Sequence, residues 1–219
     1  MKLTRLTLAV AAALAMSAAT AQAAAPVKMA FITDMSGVYS AIDGAGGVAA
    51  IKMAIKDFGG EVLGRKVELM TFDHQNKADL AAGKAKEFFS QDGADMLIAG
   101  TNSATALAME RVAASYKKPF IDIGGGASTI VGKECTPYTD MYAYNTTALA
   151  RGTGKAIVQQ GGKTWYFLTA DYAFGKSLQS DAAKVVEANG GKVVLADLVD
   201  GRSTTGTIGR IVAAYGPRG

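Results

Sequence analysis

Short apolar runs and helical patterns alternate along most of the chain, and polar turns join them. Four of the runs have the length and bounding of buried strands in a parallel sheet: Val27–Ile32, Val67–Phe72, Met96–Ala99 and Pro119–Ile123. Helical spacing of apolar residues separates them, at 44–58, at 77–90 and around 107–112. This βαβ alternation predicts a parallel sheet with helices on both faces, and Met141–Tyr144 is a candidate fifth strand.

A second α/β unit begins after Tyr144. The pattern predicts a helix, a strand, a second helix and a second strand, at Thr147–Gln160, Trp165–Thr169, Ala173–Asn189 and Lys192–Leu198. We therefore divide the chain into lobe one, 24–145, and the start of lobe two, 146–200. The remaining segment, 201–219, is an atypical tail rich in Gly, Arg and Thr. A complete second lobe needs several more strands, so we expect this one to be incomplete.

The N-terminus has the pattern of a secretory signal peptide, which we assign to residues 1–23. Lys2 and Arg5 precede an apolar stretch, Leu6–Met16, and a small-residue tract ends in Ala21-Gln22-Ala23. The apolar stretch is too short for a retained membrane anchor. No cysteine lies near the cleavage site, so the sequence does not indicate a lipoprotein anchor. We expect cleavage before Ala24 and export to the periplasm.

Charge and cysteine usage exclude several classes of protein. The signal carries two positive charges, so the formal net charge falls from +4 to about +2 in the mature chain. The chain has no basic run interleaved with aromatic residues, so the sequence does not indicate a nucleic-acid partner. Cys135 is the single cysteine, so an internal disulfide is excluded and the core must supply the stability.

Polar turns follow three of the predicted strands, at 33–37, 100–105 and 124–128. Ligands of open parallel sheets bind beyond the carboxyl ends of the strands, which is where these turns lie. The turn at Gly100–Ser103 also opens a helix, whose free N–H groups and dipole favour an anion such as a carboxylate. The alternative is that Asn102 or Ser103 only caps that helix.

Several motifs occur in a characteristic order over residues 27–194. They are the export signal, Asp34–Gly37, Gly44 with Val48, Asp73–Asn76, Gly100–Thr105, Cys135–Tyr138 and Thr169–Gly175. In order and spacing the chain resembles the periplasmic substrate-binding proteins of ABC importers of the branched-chain amino acid type, the leucine-binding-protein family. The resemblance implies the type I periplasmic-binding-protein fold, with a Rossmann-like doubly wound parallel sheet in lobe one.

The resemblance also implies a function and a set of binding residues. The chain would capture an amino acid or a related small carboxylate in a two-lobe cleft, as a monomer, and deliver it to the permease subunits of an ABC transporter. Catalytic residues, cofactors and metals are not expected. The implied ligand-binding residues are Ser103, Ala104 and Thr105 in one turn, Gly125, Gly126, Ala127 and Ser128 in a second, Tyr172 and Phe174 from lobe two, and Tyr39 in the first loop.

Two departures from the family pattern bear on the ligand. Relatives carry a threonine in the second turn for the amino-acid head group, whereas this turn offers only the hydroxyl of Ser128. An aromatic or aliphatic carboxylate is therefore an open alternative to an α-amino acid. Relatives also continue well beyond this chain and carry the acidic residue for the amino group there. A frameshift or an assembly error would account for the difference, and we expect a chain that ends here to bind weakly.

Enzyme motifs fit less well. Gly44–Ala49 matches a dinucleotide fingerprint, but it lies a dozen residues after its strand instead of at its end. The glycine run Gly124–Gly126 lacks the Lys-Ser/Thr of a P-loop. His74 has no second histidine or cysteine at metal-ligand spacing, and Cys135 lies in a loop beside only Lys133. A DNA-linked sensor and a receptor ectodomain are further alternatives, but neither a helix-turn-helix nor a later apolar span is present.

Overall fold

A six-stranded sheet organises the first part of the protein and a two-stranded sheet the second. The structure is a computed structural model and describes residues 24–199. The strands are β1 (Val27–Thr33), β2 (Glu61–Val62), β3 (Arg65–Asp73), β4 (Met96–Ala99), β5 (Phe120–Asp122), β6 (Thr139–Met141), β7 (Thr164–Ala170) and β8 (Lys192–Val199). The expected signal peptide, 1–23, and the expected tail, 201–219, lie outside the described residues.

Helices connect the strands where the apolar periodicity predicted them. They are α1 (Ser40–Asp43), α2 (Ala45–Asp57), α3 (Ala78–Ser90), α4 (Ser103–Ser115), α5 (Thr146–Gln159) and α6 (Ala173–Ala188). The bounds of α2, α3, α5 and α6 lie within one residue of the predicted ones. The short helix α1 was not predicted. Among the described residues, no helix is both long and apolar enough to span a membrane.

The large sheet has the order β2-β3-β1-β4-β5-β6, and all its neighbours run parallel except the hairpin pair β2 and β3. The predicted parallel sheet is therefore confirmed. The candidate strand at Met141–Tyr144 was wrong in position, because Thr139–Met141 pairs in register with Phe120–Asp122. Tyr142 and Tyr144 follow the strand and are exposed, so their apolar rings do not mark a buried strand.

The two faces of the large sheet are covered unequally. Ala30 and Ile32 of β1 lie on the face against which α3 and α4 pack, together with Leu97 and Ala99 of β4, and these residues are fully buried. Alternate residues of a strand point to opposite faces, so Met29 and its odd-numbered neighbours lie on the side of α2. Helices thus flank the sheet on both sides, as the doubly wound fold requires.

Helix α2 covers its face of the sheet only in part. None of its residues is buried, and Phe58 at its end is 71% exposed. An apolar cavity of about 500 Å³ separates Ile51 and Ile55 of the helix from the strands, including Val67 and Met96. The predicted apolar helix face exists, but it is half-buried rather than sealed.

The second part of the chain forms a smaller α/β unit. Strands β7 and β8 run parallel, and α5 and α6 pack against each other. Val158 of α5 and Val186 of α6 are buried in this unit, with 2% and 0% exposure. The predicted start of a second lobe therefore folds as two strands and two helices within the described residues.

Candidate functional site

The first loop, Asp34–Tyr39, is held in place by two carboxylates. Buried Asp34 accepts hydrogen bonds from the backbone N–H groups of Gly37 at 2.7 Å and Tyr39 at 3.0 Å. Asp73, at the end of β3, accepts from Met35 N at 2.9 Å and Ser36 Oγ at 2.6 Å. Burial alone would raise the pKa of Asp73, but these hydrogen bonds outweigh it and lower the pKa. The loop thus presents Tyr39 in a fixed position.

The turn after β4 is tied to the first loop through Asp43 of α1. The carboxylate of Asp43 accepts from the hydroxyl of Thr33 at 2.8 Å and from the backbone N–H of Thr101 at 2.6 Å. An added side chain at Gly100 would collide with Thr33 and Asp43. The ends of β1 and β4 therefore meet at one point, and Thr101 lies just beyond it.

Asn102 caps α4 in a strained backbone conformation. Its φ of +113° is rare for a residue with a side chain, and such strain clusters at functional sites. Its Oδ1 accepts from Ala104 N at 2.7 Å, and its amide donates to Asn76 Oδ1. The alternative that Asn102 caps the helix is therefore correct for its side chain, although the residue also lines the cavity described below.

The side chains of Ser103 and Thr105 make internal hydrogen bonds. Fully buried Thr105 donates its hydroxyl to Asn102 O at 2.8 Å. Ser103 Oγ accepts from Ala127 N at 3.0 Å, which joins the turn after β4 to the turn after β5. The Ser103 hydroxyl also has one hydrogen, which it can donate to a further acceptor. Of the two, Ser103 can still serve a solute, whereas Thr105 is committed to the helix start.

Ser128 turns away from the strand ends toward the second lobe. Its hydroxyl donates to Asp181 Oδ2 of α6 at 2.7 Å, and its backbone N–H donates to Thr146 Oγ1 and Ser177 Oγ. Thr146 and Thr147 also donate to Asp181. Burial alone would raise the pKa of Asp181, but these hydroxyls outweigh it and lower the pKa. We call these five residues the hydroxyl cluster.

Aromatic side chains close the space above the two turns. The hydroxyls of Tyr39 and Tyr172 lie 3.2 Å apart, and the rings of Tyr172 and Phe174 stack with centroids 6.1 Å apart. Burial, and then the contact with Tyr39, raises the pKa of Tyr172. A Cβ at Gly126 would lie 2.9 Å from Phe174 and 3.0 Å from Tyr144, so these rings rest directly on the second turn. Both lobes thus contribute aromatic walls.

These elements enclose a cavity of about 90 Å³, which we call the cleft. Its lining residues are Tyr39, Ile42, Thr101, Asn102, Ser103, Gly124, Tyr144, Tyr172 and Phe174. Four of them were predicted ligand-binding residues: Tyr39, Ser103, Tyr172 and Phe174. The other predicted residues do not line this cavity, namely Ala104, Thr105, Gly125, Gly126, Ala127 and Ser128.

Five lining residues were not predicted from the sequence. Thr101, Asn102 and Gly124 belong to the polar turns at the strand ends, so their position in the pattern was a usable signal. Tyr144 was assigned to a strand, and Ile42 lies on the short helix α1. No pattern in the sequence distinguishes these two from core residues.

The other residues considered for chemistry lie apart from the cleft lining. His74 is fully buried, and its Nδ1 accepts from Asn76 N at 3.0 Å. Burial lowers the pKa of His74, against the attraction of Asp34 and other nearby carboxylates. Cys135 is exposed. Within residues 24–199, no group of three or more His, Cys, Asp or Glu side chains is arranged to hold a metal ion.

The family follows from a comparison over most of the chain. The family model described as "Periplasmic binding protein" matches residues 26–214. The chain belongs to the periplasmic binding protein family. The match extends twenty residues beyond Val194, so the expectation that the resemblance ends there was wrong, and residues 201–214 of the tail fall within the family's range.

Solved structures show the same fold for this binding protein. A periplasmic binding protein from Burkholderia mallei is 55% identical with a TM-score of 0.83, and the comparison covers 86% of this chain and 51% of that one. A branched-chain amino acid ABC transporter ligand-binding protein from Burkholderia xenovorans is 33% identical, with a TM-score of 0.70 and coverages of 86% and 51%. A solute-binding protein from Rhodopseudomonas palustris, in complex with 3,4-dihydroxybenzoic acid, is 25% identical, with a TM-score of 0.75 and coverages of 86% and 52%. The chain spans about half the length of these structures.

A curated relative of another kind matches a shorter stretch. The bifunctional protein HldE of Geobacter metallireducens is 33% identical over 123 residues, which is 56% of this binding protein and 22% of that one. Because the chain spans only about a fifth of HldE, this similarity assigns none of its activity.

Proposed function

We propose that the chain is the extracytoplasmic solute-binding component of an ABC importer, and that it captures an amino acid or a related small carboxylate in the cleft. The observation that carries this proposal is the convergence of two lobes on one cavity. Thr101, Asn102 and Ser103 supply its polar floor, and Tyr172 and Phe174 supply an aromatic wall. A few polar groups in an otherwise apolar concave site are typical of small-molecule binding.

The cleft must open to admit such a solute. Its volume of about 90 Å³ is well below the roughly 300–1,000 Å³ of ordinary ligand pockets. The hydroxyl contact between Tyr39 and Tyr172 joins the lobes across it. Movement of the lobes about a hinge, as in two-domain binding proteins, would part this contact and enlarge the site.

An aromatic carboxylate fits the lining better than an α-amino acid. Four of the lining residues are aromatic, and aromatic side chains pack favourably against an aromatic ring. The R. palustris relative was solved with 3,4-dihydroxybenzoic acid. The B. xenovorans relative, a ligand-binding protein of a branched-chain amino acid ABC transporter, supports an amino acid as the second candidate.

The remaining parts of the proposal follow from family membership. The chain would work as a monomer in the periplasm, pass its solute to membrane permease subunits and catalyse no reaction. The family and the structural relatives are binding proteins, which supports this role. Export predicts a mature protein that begins at or close to Ala24, and N-terminal sequencing of the secreted protein tests it. A soluble mature form that retains Met1 would contradict export.

Thermal unfolding with added solutes tests the binding function. A solute at ten times its Kd stabilises the folded state by about 1.4 kcal/mol and raises Tm. We expect benzoate, 4-hydroxybenzoate or leucine to raise Tm, glucose to leave it unchanged, and Phe174→Ala to reduce the effect. Tyr142→Ala is the matched control, because Tyr142 is 84% exposed and does not line the cleft. No shift with any carboxylate would contradict the proposal.

A further inference from the structure

Asp122 is a buried carboxyl directly behind the cleft. It ends β5, has no exposed surface, and its Oδ1 accepts hydrogen bonds from Gly125 N at 2.7 Å and Gly124 N at 3.2 Å. Gly124 lines the cleft, whereas Asp122 does not. The carboxyl therefore fixes the backbone of the cleft wall from behind.

The second oxygen of this carboxyl lacks a partner. Asp122 Oδ2 is buried and accepts no hydrogen bond from any described residue. Buried Glu110 of α4 is in the same situation: its Oε1 accepts from Thr139 Oγ1 at 2.7 Å, and its Oε2 has no partner in the described part of the chain. Arg111, beside it in sequence, forms its ion pair with Glu134 at 3.1 Å. A buried carboxylate without compensating charge strongly favours its neutral form.

Packing couples this carboxyl to the turn. A Cβ at Gly125 would lie 2.9 Å from both oxygens of Asp122 and 2.7 Å from the Cβ of Ala106. Only glycine lets the backbone approach so closely. A change in the hydrogen bonds of Asp122 should therefore move Gly125, which packs directly against the carboxyl, and Gly124, whose N–H donates to the same oxygen.

The surroundings of Asp122 allow its charge to change near neutral pH. Burial, with a smaller contribution from the charge of Glu110, raises its pKa to about 7 against the opposing effect of the Gly125 and Gly124 hydrogen bonds. The flanking strands place Ala99 of β4 and Met141 of β6 beside it, and neither side chain titrates. Glu110 is thus the titratable group that faces Asp122 from the elements packed around it.

We propose that Asp122 is a positioning residue for the cleft turn and that the gain or loss of its proton, exchanged with solvent, shifts Gly124 and Gly125. The ionised carboxylate accepts stronger hydrogen bonds than the neutral acid, because charge-assisted hydrogen bonds are the stronger class. Ionisation therefore holds both N–H groups back against Asp122. Protonation weakens that hold and lets the turn approach the cleft.

A consequence for solute binding rests on the proposed function. A carboxylate solute at Gly124 is repelled by ionised Asp122 and favoured by the neutral acid with its loosened turn. Binding of an anion then draws a proton onto Asp122. If binding raises the pKa of Asp122 by one unit, the affinity falls roughly tenfold as the pH rises from below the pKa in the free protein to above the pKa in the complex.

Nuclear magnetic resonance of the whole chain tests the positioning role. The carboxyl carbon of Asp122 and the amides of Gly124 and Gly125 are followed from about pH 5 to pH 9. We expect one common midpoint near neutral pH for all three, and a flat response of both amides in Asp122→Asn. Exposed Asp140 on β6 provides the control Asp140→Asn, which should leave the midpoint unchanged. A midpoint for Asp122 in the ordinary carboxyl range, or glycine amides that do not follow it, would overturn the proposal, and the wild-type titration alone decides this.

Benzoate serves as the anionic probe for the expected pH dependence of solute binding. We expect its affinity to decrease with rising pH in the wild type and to be independent of pH in Asp122→Asn. Equal affinity at both ends of the pH range in the wild type would overturn the proton linkage. If neither benzoate nor leucine perturbs any cleft amide, the proposed function fails, while the titration of the turn still decides the role of Asp122.

Discussion

At the scale of single residues, the turns at the cleft are held by side-chain hydroxyls that hydrogen-bond to backbone groups of the protein. Ser103 accepts the N–H of Ala127 from the second turn, whereas Thr105 donates to Asn102 O within its own helix. A hydrogen bond that gives a buried N–H group its acceptor stabilises the fold more than one made to an oxygen that already accepts another hydrogen bond. The two hydroxyls should therefore differ in their contribution to stability.

Ser103→Ala should lower the free energy of unfolding by about 1–3 kcal/mol, because it leaves the buried N–H of Ala127 without an acceptor. Thr105→Val should lower it by less, about 1 kcal/mol, since Asn102 O keeps its bond from Ala106 N at 3.0 Å. Urea unfolding of the two variants measures both values. Equal losses, or a larger loss for Thr105→Val, would contradict the assigned hydrogen bonds.

The sequence predicted which turns meet at the cleft better than it predicted which side chains line it. Turn residues at strand ends could be located because apolar runs mark the strands. The direction of each hydroxyl could not, since Ser103, Thr105 and Ser128 are equally polar in sequence. Only the packing of the second turn against α4 and α6 assigns their hydrogen bonds.

At the scale of elements, the hydroxyl cluster connects the second cleft turn to α6. Asp181 receives hydrogen bonds from Ser128, Thr146 and Thr147, while Lys184 lies 4.0 Å away at the edge. A carboxylate with this many donors contributes to stability only while it is ionised.

Asp181→Asn should destabilise the fold by about 1–3 kcal/mol at neutral pH. The pKa of Asp181 is lowered in the folded state, so its stabilisation is present above the ordinary carboxyl pKa of 3.8 and is lost as the pH falls below it. The wild type and the variant should therefore converge in stability in acid. Asp171→Asn is the control, because Asp171 pairs with Lys176 on the exposed surface, where such pairs contribute less than about 1 kcal/mol. Equal effects of the two substitutions in urea unfolding would contradict the role of the cluster.

The two faces of the large sheet should respond differently to the loss of an aromatic side chain. Phe88 of α3 is 5% exposed in the core, whereas Phe58 after α2 is 71% exposed. Phe88→Ala should lower the free energy of unfolding by about 3–5 kcal/mol, as is typical of buried phenylalanines. Phe58→Ala should lower it by less than about 1 kcal/mol.

Urea unfolding of both variants compares the faces directly. A loss for Phe58→Ala close to that for Phe88→Ala would show that the α2 face is sealed in solution. Periodicity alone predicted an apolar stripe on α2. It could not show that the stripe stays half-buried, because burial depends on which other elements reach that face.

At the scale of the whole molecule, the cleft exists because two separate α/β units meet. Tyr39 and Tyr172 are 133 positions apart in the sequence, yet their hydroxyls lie 3.2 Å from each other. The alternation of strands and helices predicted most of the elements of both units. The meeting of these particular side chains depends on the relative placement of the units, which no local pattern encodes.

Uptake of a small carboxylate by this cleft can be observed by amide chemical-shift mapping of the whole chain with added benzoate or leucine, a method that also detects weak binding. We expect at least one of these solutes to shift the amides of Thr101, Ser103 and Gly124, with the largest changes confined to the cleft. Phe174→Ala should reduce these shifts, because it removes part of the aromatic wall. Changes confined instead to the apolar cavity beside Trp165 and Leu178, or no change with either solute, would contradict binding in the cleft.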